Sequence, residues 1–186
     1  MDPLNLLTKE ILACKICSQA AVGRIVPGEG SGVARVVFVG EAPGKLEAAS
    51  GRPFIGRSGK LLRSLINSIG LKEEEVFITS AVKYLPTYTT PKLSDIEHGR
   101  LHLQKQLKII KPEVVVLLGS VAAQAVLDEK YFLAKDHGRV IDRDGVKYLL
   151  VYHPAAPLHN PKVKPDLEKD FKKLSRLVGR KKLSTD

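Results

Sequence analysis

Apolar residues along this chain fall into short runs separated by stretches of helical spacing. Arg35-Val36-Val37-Phe38-Val39-Gly40 is β-branched, short and stopped by glycine, the pattern of a strand buried on both faces. Val76-Phe77-Ile78-Thr79, Glu113-Val114-Val115-Val116-Leu117-Leu118-Gly119 and Lys147-Tyr148-Leu149-Leu150-Val151-Tyr152 repeat it. Between these runs the period changes. Leu61, Leu62, Leu65, Ile66 and Ile69 recur at three and four residues and predict a helix with Gly70 as its C-cap. Leu101, Leu103, Leu107 and Ile110 predict another that closes before Pro112. Ser120 is placed to cap a short one through Val121, Ala122, Ala125 and Val126. The alternation predicts an α/β fold, a three-layer α/β/α sandwich around a central, mainly parallel four-stranded sheet. In such sheets ligands sit beyond the carboxyl ends of the strands. The segments there are Glu41-Ala42-Pro43-Gly44, Ser80-Ala81-Val82-Lys83 and His153-Pro154-Ala155-Ala156, and they are expected to converge.

Length and charge narrow the class. The 186 residues fit one domain, assigned to 1–178, followed by a basic tail over 179–186. No apolar run is long enough to span a membrane, and the start MDPLNLLTKE lacks the features of a signal peptide. Two cysteines build no disulfide framework, so a cytoplasmic chain is expected; a monomer is a separate expectation. Thirty Lys+Arg against twenty Asp+Glu leave a net charge of +10, which favours a polyanionic partner, nucleic acid above all. Tryptophan is absent, which argues against an extended base-stacking platform. Half of the net charge lies in residues 162–186, where nine Lys/Arg face four Asp/Glu. There Leu167, Phe171, Leu174 and Leu177 or Val178 share one helical face for docking on the sheet, and the lysines read as the solvated side.

Three segments carry the chemistry. Gly40-Glu41-Ala42-Pro43-Gly44 sets an acid in a tight turn after a strand. Gly51-Arg52-Pro53-Phe54-Ile55-Gly56-Arg57-Ser58-Gly59-Lys60-Leu61-Leu62 follows, and His153-Pro154-Ala155-Ala156-Pro157-Leu158-His159-Asn160-Pro161 closes the set. In this order and separation they closely resemble the family 4 uracil-DNA glycosylases, from about Leu4 to Pro161. Breaking an N-glycosidic bond puts positive charge on the sugar and negative charge on the departing base. The resemblance implies Glu41 as the carboxylate that stabilises the sugar cation and orients water. It implies His153 as the donor at the base oxygen, a role in which one such group is worth roughly 3 kcal/mol. Backbone around Ala42 and Gly44 would complete the pocket, and Phe54 would stack on the flipped base. Leu158 would wedge into the vacated stack, with Pro157 and His159 where the family has a second leucine and an arginine. Arg52, Arg57, Ser58, Lys60 and His159 are the candidate DNA contacts. The reaction implied is hydrolysis of uracil from single- or double-stranded DNA in base excision repair, leaving an abasic site and needing no cofactor.

Two further features depart from the family. Ser80 stands where an asparagine reads uracil. A hydroxyl rotates and cannot make both amide contacts, so either a water completes the pocket, or selectivity for uracil is weaker, or the pocket serves another deaminated or damaged base. Non-catalytic recognition of DNA damage is the rival from another class, and simple binding would need neither Glu41 nor His153. The second departure concerns Cys14-Lys15-Ile16-Cys17, which matches half of the ligand set of the family's four-iron four-sulfur cluster. Tyr84 and His98 stand at the other two positions. A remnant pair without metal, a site of Cys14, Cys17 and His98, and an intact cluster are the three readings, in that order. Residues 84–91 contain no histidine and no basic cluster, so the covalent trapping of some superfamily members is not expected, nor is strand cleavage.

Overall fold

In the computed structural model, which describes residues 2–88 and 90–179, the four apolar runs form neighbouring parallel strands. The chain runs α1 (Pro3–Leu12), α2 (Lys15–Ala20), β1 (Ala21–Val22), β2 (Glu29–Gly30), β3 (Val36–Gly40), α3 (Lys45–Ser50), α4 (Arg57–Ser68), β4 (Val76–Ser80) and β5 (Leu85–Pro86). It continues through α5 (Leu93–Ile110), β6 (Val114–Leu118), α6 (Ser120–Leu127), α7 (Leu133–Asp136), β7 (Val140–Arg143), β8 (Val146–Val151), α8 (Ala156–His159) and α9 (Lys164–Val178). Apart from Gly179, the tail assigned to 179–186 lies outside the described residues.

The main sheet has the order β2-β4-β3-β6-β8-β7, six strands where the sequence predicted four. The inner four are parallel; β2 and β7 add antiparallel edges. Both edges escape a periodicity argument for physical reasons. β2 is two residues long, and β7, Val-Ile-Asp-Arg, has no buried residue. The β7–β8 hairpin turns on Asp144-Gly145, both at positive φ, which is the two-residue connection that matches strand twist.

Burial explains the continuous apolar runs. β3, β4 and β6 are buried at every residue because helices cover both faces. Alternation sorts the side chains: Val36, Phe38, Val116 and Leu118 pack with Leu62 and Ile66 of α4 and Leu167, Phe171 and Leu174 of α9. Val37, Val39, Val115 and Leu117 point the other way, towards Leu103 and Ile110 of α5, Ala122 and Ala123 of α6, and Leu4 of α1. The three layers are those the sequence predicted. α9 docks as expected, its Phe171 ring stacked on Phe38 at 6.0 Å, and its lysines are exposed. α4 begins at Arg57, four residues ahead of its apolar stripe, and ends at Ser68 just before Gly70. Ser120 does not cap α6. It is the first helical residue, and Gly119 at φ +96° makes the corner instead. Among the described residues no helix is long and apolar enough to cross a membrane.

Candidate active site

The three strand-end segments meet on one rim. Gly40 pairs with Ser80 across β3 and β4, and just past the strands the Ala81 N–H donates to the Gly40 carbonyl at 2.8 Å. The Val82 N–H likewise donates to the Glu41 carbonyl at 3.0 Å. On the other side the Gly119 N–H donates to the Val151 carbonyl at 2.9 Å, and the bare Gly119 faces the Cβ of His153. Between them lies a cavity of about 150 Å³, lined by residues that include Ala42, Gly44, Glu47, Phe54, Ser80 and His153. Pockets for drug-sized ligands measure about 300–1,000 Å³, so this one suits a single small ring. A larger cleft of about 620 Å³ opens at the opposite, amino-terminal end of the sheet, beside Lys111, Pro112 and Val146.

Phe54 forms one wall under strain. It holds φ at +51°, a left-handed conformation that costs a residue other than glycine of order 1–3 kcal/mol. The surroundings enforce it. A Cβ at Gly59 would sit 1.9 Å from the Phe54 carbonyl oxygen, and one at Gly40 would sit 2.5 Å from the ring. The Glu47 carboxylate accepts the Ile55 and Gly56 N–H groups, both at 2.9 Å. Arg63 donates to the carbonyls of Pro53 at 3.2 Å and Phe54 at 3.3 Å, and is itself paired with Glu29 and Glu73. The ring is thereby fixed against His153, centroids 5.8 Å apart.

His153 is held in one tautomer. Its Nδ1 accepts the Ala155 N–H at 3.1 Å, so in the neutral ring the proton resides on Nε2. Burial drives the imidazole down to about 4, which keeps it neutral at physiological pH. Glu41, at the turn after β3, is shifted the opposite way in its own sense: burial raises its carboxyl above the ordinary value. Ser80 is buried at the end of β4, and beneath it lies a fully buried lysine. Lys83 Nζ donates to the Ser80 carbonyl, Thr79 Oγ1 and Gln106 Oε1, each at 2.7 Å. Burial pulls this lysine down to about 7.

The candidate DNA contacts divide. Ser58 lines the cavity, while Arg57 and Lys60 are exposed on the first turn of α4, whose N-cap Gly56 supplies no side-chain bond. Arg52 is exposed but paired with Glu29 at 2.9 Å. Leu158 projects from α8 with 43% of its surface exposed, next to the exposed His159, while Pro157 is buried beneath them. Glu47, Arg63 and Lys83 were missed by sequence reasoning. Glu47 and Arg63 contact backbone, and Lys83 one carbonyl and two side-chain oxygens, all formed on folding, which no spacing signals.

Cys14, Cys17 and His98 also come together, and a fourth residue joins them. His102 lies one turn after His98 on α5, and the four ligand atoms fall within 4.8 Å of one another. Tyr84 is not among them; its hydroxyl donates to the Asp95 carboxylate. The spacing His98-x-x-x-His102 was visible in the sequence and is a standard signal for two ligands on one helical face.

The description "Uracil DNA glycosylase superfamily" belongs to the family model that matches residues 27–175, a span containing the whole rim. The chain belongs to that superfamily. It is 39% identical to the type-4 uracil-DNA glycosylase of Archaeoglobus fulgidus over 97% of this chain and 96% of that protein. It is 36% identical to the type-4 enzyme of Saccharolobus solfataricus, over all of this chain and 91% of that one. A type-5 uracil-DNA glycosylase of Pyrobaculum aerophilum is also similar, 33% identical over 72% of this chain and 66% of that protein. Membership in the superfamily agrees with the resemblance carried by the three motifs.

The state of His153 can be measured directly. Its ring nitrogens should keep the ¹⁵N shifts of the neutral Nε2–H tautomer as pH falls from 8 to 5. An ordinary histidine titrates near 6.5, in the middle of that window. A His153 titration at that pH would contradict the enclosed, Ala155-bonded ring.

Proposed function

We propose that this protein is a monofunctional DNA glycosylase that hydrolyses uracil from DNA and leaves an abasic site. One observation carries the reading: a neutral imidazole with its proton on Nε2 lines a one-ring cavity walled by an aromatic, and a half-buried carboxylate, Glu41, stands at the turn after β3 directly before the lining residue Ala42. As the glycosidic bond lengthens, negative charge collects on the pyrimidine. The His153 Nε2–H donates to the base oxygen without needing to be a cation, which places a fixed dipole where charge develops. Positive charge grows on the sugar at the same time. Glu41, ionised against its burial, stabilises that cation and orients the attacking water; the low local dielectric strengthens the attraction. Phe54 replaces the stacking lost when the base leaves the duplex.

The remaining residues position the substrate. Arg57, Ser58, Lys60 and the uncapped start of α4 contact phosphates, where backbone N–H groups favour anions. Leu158 fills the gap left by the flipped base, with His159 beside it and Arg52 as an outer contact. The protein acts as a monomer in the cytoplasm. Lys83 cannot serve as a nucleophile for strand cleavage, since it is fully buried and engaged with three acceptors. Hydrolysis by these groups uses no cofactor. A four-iron cluster of the type the resemblance implies does not fit the donors present, two thiols and two imidazoles.

Two sets of variants test the assignment on an oligonucleotide carrying one uracil. Glu41→Gln and His153→Ala should each cut single-turnover excision by about 100-fold or more while abasic product still binds. Their effects should fall short of additive because both act on one transition state. Near wild-type rates in both would refute the roles. Ser80→Asn should raise uracil excision by the worth of one hydrogen bond, about 1 kcal/mol or roughly fivefold. Discrimination against cytosine should rise with it, since a fixed donor and acceptor oppose the wrong base. A slower Ser80→Asn enzyme on uracil would mean that the pocket is built for a different base.

A further inference from the structure

We propose that Cys14, Cys17, His98 and His102 form a closed, mononuclear metal site that takes zinc in place of the family's iron–sulfur cluster. The distances favour a single ion. His98 Nε2 lies 3.3 Å from the Cys14 sulfur and 3.4 Å from the Cys17 sulfur, and all four donor atoms lie within 4.8 Å. A tetrahedral zinc with bonds of about 2.3 Å to sulfur and 2.0–2.1 Å to nitrogen spaces its ligands about 3.3–3.8 Å apart. Only a small contraction is needed. A four-iron cluster spreads its ligands wider and calls for thiolates that this chain lacks, having two cysteines in all.

A second observation is independent of that geometry. His102 is only 6% exposed, yet neither of its ring nitrogens has a hydrogen-bond partner. A buried polar atom left unpaired costs about 1–3 kcal/mol, and one metal bond to either nitrogen removes one such loss. The backbone supports the set. Cys14 is the N-cap of α2 and Cys17 lies in its first turn, while His98 and His102 are one turn apart on α5. Two thiolates and two imidazoles at tetrahedral spacing are the borderline-soft donors that suit zinc. Binding displaces the two thiol protons to solvent and forms four coordinate bonds, with no change of oxidation state. Because all four positions come from protein, the ion has no open position for substrate. It fastens α2 to α5 and is structural.

The full-length protein, purified without added metal, should contain about one zinc per chain and no acid-labile sulfide by elemental and sulfide analysis. Cobalt(II) exchanged into it should give the intense visible bands of a tetrahedral, thiolate-bound ion. Iron with stoichiometric sulfide would overturn the proposal, as would protein that is metal-free and gives no tetrahedral cobalt spectrum. His102→Ala should weaken cobalt binding by about 100-fold or more, since even partners one shell out are worth 10–100-fold. His98→Gln, at a less buried position, should do the same. Unchanged affinity and spectrum in both variants would also overturn it. The wild-type measurements stand even if a variant folds poorly.

Discussion

Parallel pairing in register fixes where every group at the rim can be. Gly40 lies opposite Ser80, and Leu118 lies opposite Val151, so the chain leaves the inner strands β4, β3, β6 and β8 at nearly one level. A slip of one residue in any of these strands would exchange the side chains packed against α4 and α9 with those packed against α5 and α6, spoiling both cores, and would carry the rim residues with it. The core therefore guards the site. Phe38 and Phe171 on one face, and Leu103 and Leu117 on the other, hold the register that brings the Glu41-Ala42 turn, Ser80 and His153 to the same rim.

Against that rigid edge the loop after α3 is held in a conformation it would not choose. The strain at Phe54 is offset by separate anchors: the bare Gly59 beneath its carbonyl, the Glu47 carboxylate on the next two N–H groups, and Arg63 on the two carbonyls. Such strain clusters at functional sites because it fixes geometry before the ligand arrives. The electrostatics follow the same logic. Partial burial favours the neutral form of His153 and makes Glu41 costlier to ionise. In the proposed reaction the same low local dielectric would strengthen the interactions of both groups with charges that develop in the transition state.

Much of this was legible in the sequence, and the gaps have reasons. The four inner strands announced themselves because strands covered on both faces are apolar throughout. β2 and β7 did not, being too short or too exposed, although Asp144-Gly145 was a readable hairpin signal. Helix α1 was readable from the Asp2 cap, Pro3 and the spacing of Leu4, Leu7 and Ile11, but was overlooked; α2 and α3, six residues each, carry too few periodic positions to stand out. Ser120 looked like a cap from its residue type, but the positive φ at Gly119 decided the corner. At the rim, the motif order singled out Glu41, Phe54, Ser80 and His153, and the fold brings their segments together. Their supports were not singled out: Glu47 and Arg63 hold backbone groups, and Lys83 one carbonyl and two side-chain oxygens, all brought near by folding. His102 was within reach, one helical turn from a histidine already singled out.

The central claim is that this rim excises uracil, and wild-type protein on matched oligonucleotides tests it most directly. Each would carry one U, hypoxanthine, xanthine, T or C at the same position, and alkali would reveal abasic sites after a single turnover. The account expects cleavage at uracil, faster than at any other base, with intact strands before alkali. No cleavage at uracil, or faster loss of another base, would contradict it.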